Sequence, residues 1–131
     1  EMLRSLVGSE MCIRDRYYMT LKRLGNDEEA AKILARITDH MNPGENTAYY
    51  ARLLMYKGLK KPEELLSADP EEVTALELIT MGFGIANYFL QNGQPDKAYD
   101  LMERVVKAGD ENDCYFAFAY LASKVDLAHK G

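Results

Sequence analysis

The chain has 131 residues, 47% apolar and 28% charged, with Lys+Arg 16 against Asp+Glu 21 and a formal net charge of -5. Those proportions fit one soluble globular domain and exclude collagen-like, disulfide-scaffold and low-complexity chains. No window approaches the roughly 20 apolar residues of a membrane-spanning helix, and net acidity argues against general binding to a phosphate backbone, so neither a membrane span nor a nucleic-acid partner is expected.

In chain order, the first element is anomalous. Leu6-Val7-Gly8-Ser9-Glu10-Met11-Cys12-Ile13-Arg14-Asp15 resembles one reading frame of a transposon-type sequencing adapter. Residues 1–16 are therefore expected to be a non-native scar, set aside from functional reasoning as a tag would be. The competing reading is an amphipathic helix, because Leu3, Leu6, Val7 and Met11 recur at helical spacing. Setting the segment aside removes three positive and three negative residues, so the charge stays at -5. Cys12 goes with it, leaving Cys114 without an intramolecular disulfide partner. The native amino terminus is then expected to be missing, and with it any targeting signal, so the sequence assigns no compartment.

From Tyr17 onward the pattern is helical, punctuated by Gly, Pro and Asn-Asp, with no convincing alternation of the kind a strand needs. A helix from Tyr17 ends at Gly25. Asn26-Asp27 caps the next, which carries Ala30, Ile33, Leu34 and Ile37 on one face, Glu28 and Glu29 in its first turn, and a stop at Met41-Asn42-Pro43-Gly44. A third runs from about Asn46 to Tyr56 and ends at Gly58, followed by a short one at Pro62 to Leu66. Asp69-Pro70-Glu71-Glu72 reads as the start of a long helix reaching about Gln91. Helices over about 96–107 and 113–129 complete an all-α chain of about seven helices.

The turns repeat. Gly25, Gly58 and Gly93 are 33 and 35 residues apart, each closing a helix that carries tyrosines. In the first unit Tyr18, Leu21, Gly25, Ala30, Leu34 and Pro43, and in the third Ala86, Phe89, Gly93, Ala98, Met102 and Val105, follow one pattern of aromatic or small, large apolar, glycine, alanine and large apolar residues. The middle unit keeps Tyr50, Ala51, Leu54 and Gly58, then puts Glu63 where the packing alanine belongs. With its period near 34, the chain over residues 17–131 resembles the tetratricopeptide repeat family. The resemblance implies an α-solenoid of antiparallel helix pairs, about three repeat units with a carboxy-terminal capping helix, and a carboxy-terminal fragment of a larger protein.

Candidate chemistry is thin. His40 and His129 lie near helix ends, without metal-ligand spacing. The acid pairs Glu28-Glu29, Glu63-Glu64 and Glu71-Glu72 occupy helix first turns, which explains them without catalysis. Asp110-Glu111-Asn112-Asp113 lacks the alternation and central glycine of a calcium loop. Gly82 and Gly84 sit mid-helix, where close helix contact explains them better than a phosphate, and Cys114 beside Tyr115 and Phe116 reads as a small buried residue. No catalytic residue, metal site or cofactor is expected.

Under the family register, first helices of each pair line an inner groove. Tyr49, Arg52 and Tyr56 share one face of theirs, and Phe83, Asn87 and Gln91 share one face of the next. Tyrosine and arginine anchor interfaces, and Asn or Gln can hydrogen-bond an extended backbone. The expectation is a non-catalytic protein-protein interaction module that binds a peptide or helix of a partner protein. Two alternatives stand beside it: a structural extension and cap of a longer solenoid, and a small helical hydrolase using carboxylates.

Overall fold

The computed structural model describes residues 2–38, 47–67, 69–112 and 118–130, with side chains from Met11 onward except those of Thr47 and Pro70. Among these residues every regular element is helical and none is a strand. The chain divides into two compact units, Glu1–Lys61 and Pro62–Gly131.

In the first unit, α1 spans Met2–Arg23 without a break at residue 16. Lys22 and Arg23 occupy its last turn, opposite in sign to the helix dipole there. Gly25 then ends it at φ 77°, with its amide bonded to the Lys22 carbonyl and the Asn26 amide reaching back to Leu21 at 2.9 Å. That pair of bonds satisfies carbonyls at the helix end, and the positive φ is strained for any residue with a Cβ. Helix α2 (Asp27–Ala35) starts on Asn26, whose side chain accepts from the Glu29 amide.

The sequence pattern carries α2 toward Met41, yet it stops at Ala35. The physical reason lies in α3 (Thr47–Lys57): the Tyr50 hydroxyl donates to the Thr38 carbonyl and the Lys57 ammonium to that of Ile37. Those carbonyls are thus satisfied without another helical turn. Ile37, freed from the helix, drops into a fully buried cluster with Met11, Tyr50, Leu53 and Leu54. The stop assigned to residues 41–44, like His40, lies outside the described residues.

The second unit opens with α4 (Pro62–Leu65), one turn with no buried residue and with Glu63 exposed, so the position where the sequence pattern asks for a packing alanine is not a packing position. Pro70–Glu72 forms a 3-10 turn, not the start of the long helix. That helix, α5, spans Ala75–Gln91, and its start is fixed by a reciprocal cap: Thr74 Oγ1 accepts from the Glu77 amide, and Glu77 accepts from the Thr74 amide at 3.0 Å. Two orphan donors satisfied together outweigh an Asp-Pro pair upstream. Helix α6 (Pro95–Glu111) has proline in its first turn and buries Ala98, Leu101, Met102, Val105 and Ala108, one stripe at helical spacing. It runs beyond the expected end at 107, and α7 (Phe118–Ala128) packs on both α5 and α6.

Gly58 and Gly93 repeat the geometry of Gly25, with φ 88° and 73° and with Leu59 and Gln94 amides reaching back five residues to Leu54 and Phe89. Ala30 and Ala98, each five residues past its glycine, are 1% and 0% exposed. Gly82 is a close helix contact: a Cβ there would lie 2.5 Å from Val105 Cγ2. The outer face of α7 leaves Phe118, Leu121 and Val125 exposed, an apolar stripe where a terminal cap needs polar residues.

Candidate partner-binding face

The residues expected to line a groove fall into two sets, three on α3 and three on α5. On α3 the helical spacing does place Tyr49, Arg52 and Tyr56 together, but α1 covers them. Arg52 is 4% exposed; its Nη2 sits 2.7 Å from Asp15 Oδ2 and 3.5 Å from the Met19 sulfur, and its guanidinium lies 5.3 Å from the Tyr49 ring centroid. Tyr18 stacks on Tyr56 at 4.7 Å with 14° between ring planes. An aromatic wall and a buried cation thus meet one fully buried carboxylate.

The electrostatics of this cluster are uneven. Burial raises the Asp15 pKa, and the attraction of Arg52 and the neighbouring Tyr56 hydroxyl offset only part of that rise. Burial also pushes the Tyr56 hydroxyl far up, with the Asp15 charge adding to the effect. Burial works to lower the Arg52 value, but Tyr56 and Asp15 outweigh it and keep the guanidinium charged. Tyr49 is raised by burial and by Cys12 beside it. The Arg52 guanidinium and the Tyr56 hydroxyl both turn to the Asp15 carboxylate, and each works against the effect of burial on it. The desolvation cost of a buried ion pair can exceed its Coulombic gain, and burial remains the largest influence on Asp15.

On α5, Phe83 is 4% exposed and meets Phe118 edge to face at 5.9 Å. Asn87 is 2% exposed and donates from Nδ2 to the Phe83 carbonyl one turn earlier at 2.8 Å. Gln91, the last residue of α5, is exposed. Of the six, Gln91 alone offers its side chain openly to solvent, and Tyr49 and Tyr56 are half-buried.

Elsewhere, His129 contacts the Val125 carbonyl at 2.8 Å near the end of α7. Glu28-Glu29 and Glu63-Glu64 lie in the first turns of α2 and α4. Asp110 accepts from the Tyr120 hydroxyl at 2.6 Å, a bond that raises the tyrosine pKa. Cys114 lies outside the described residues, and Cys12 is a half-buried free thiol. No group of three or more His, Cys, Asp or Glu among the described residues is placed to hold a metal ion.

Sequence reasoning passed over two features. Asp15 was set aside with the adapter-like segment, so its pairing with Arg52 had no signal. A recess of about 730 Å³ on α6, lined by Pro95, Asp96, Tyr99, Asp100, Glu103 and Lys130, was legible from carboxylates at positions 96, 100 and 103 on one helix face. Lys130 occupies its rim, 3.4 Å from Glu103 Oε1 and 5.7 Å from the Tyr99 ring centroid.

No protein-family model matches the chain, and neither a search of curated proteins nor one of solved structures finds a match.

Proposed function

We propose that this chain is a non-catalytic interaction module, a tetratricopeptide-like array that binds a peptide or helix of a partner protein. The observation that carries the reading is the recurrence of one helix-ending geometry at Gly25, Gly58 and Gly93, with a buried alanine five residues later in two of the three cases. A repeat of this kind buries part of its apolar surface against its neighbours and leaves a face of first helices for partners. On α3 the candidate residues are Tyr49, Arg52 and Tyr56, and α1 must move aside for a partner to reach Arg52. On α5, Gln91 is the outward member, with Phe83 and Asn87 supporting its helix from within.

The exposed stripe of Phe118, Leu121 and Val125 favours a second reading, in which these repeats extend a longer solenoid and α7 is covered by whatever packs next. The two readings separate in one experiment. The parent chain and an Arg52→Ala, Tyr56→Ala variant, both verified as helical by circular dichroism, are used as baits, and the recovered proteins are identified by mass spectrometry. A partner held by the parent and lost by the folded variant supports the groove. Equal recovery by both refutes it, and loss only on changing Leu121 and Val125 to Ser supports the structural extension.

A further inference from the structure

We draw no further inference here: the strongest candidate, the recess on α6 where Asp96, Asp100 and Glu103 surround the Tyr99 ring, is a surface cluster of exposed carboxylates already met by Lys130 of the same unit, and nothing among the described residues points to a ligand there.

Discussion

Gly82→Ala tests whether the α5 and α6 backbones are held together by the absence of a side chain. The added Cβ would stand 2.5 Å from Val105 Cγ2, well inside van der Waals contact, and Val105 is wholly buried with a β-branched side chain that has little freedom to turn aside. Overpacking of this kind costs about 1–3 kcal/mol, while alanine gains about 1 kcal/mol over glycine in helix propensity. The net is a loss of about 0–2 kcal/mol, or several degrees in Tm for a unit of this size. The sign should reverse when the obstructing methyl is gone. In a Val105→Ala background, Gly82→Ala meets no γ-carbon and should stabilise by about 1 kcal/mol, so the coupling between the two positions is about 1–3 kcal/mol. Urea titrations of the four chains followed by far-ultraviolet circular dichroism measure it. An unchanged cost in the Val105→Ala background would refute the close-approach account.

At Gly58 and Gly93 no heavy atom lies within 4 Å of an added Cβ, so alanine there pays only for left-handed backbone. Each substitution should lose about 1–2 kcal/mol in urea titrations, and asparagine should lose less. Thr74→Ala removes half of the reciprocal cap on α5 and should lose about 0.5–2 kcal/mol, with faster hydrogen exchange at the Glu77 amide. Asp15 has a folded pKa raised above its ordinary 3.8, so the folded state binds its proton more tightly than the unfolded state does. The stability it contributes is complete below 3.8 and is lost as pH rises through the folded value. The stability of Asp15→Asn relative to the parent should therefore climb with pH from 3.8 upward in urea titrations at stepped pH, and a flat difference would contradict the raised value.

What the sequence made legible was set by local chemistry. Gly25, Gly58 and Gly93 could be read because the left-handed ends they occupy penalise every residue with a Cβ, and Ala30 and Ala98 because close helix packing admits little else. The misread start of α5 also has a local cause. Asp69-Pro70-Glu71-Glu72 and Thr74-Ala75-Leu76-Glu77 are both start signals five residues apart, and the reciprocal bonds of the second settle the competition. The early end of α2 was not legible, because it depends on Tyr50 and Lys57, which reach its carbonyls from α3. The cover on Arg52 is of the same kind. A helical period assigns residues 49, 52 and 56 to one face but is silent on what lies over that face, and the carboxylate that does so is 37 positions away.

The apolar residues of α3 and its buried arginine therefore carry different obligations. Tyr50, Leu53 and Leu54 point into the cluster with Ile37, where burial of each large side chain contributes about 1.5–3 kcal/mol and any well-shaped apolar neighbour serves. Tyr49 and Tyr56 pack against that cluster as well, while Arg52 turns to α1, where its guanidinium is withdrawn from water beside the Asp15 carboxylate. Replacing a buried ion pair by apolar residues of similar volume is often neutral or stabilising, so stability alone gives no reason to keep a cation there. On this balance the apolar cluster, and not the Asp15–Arg52 pair, is what holds α1 against α3.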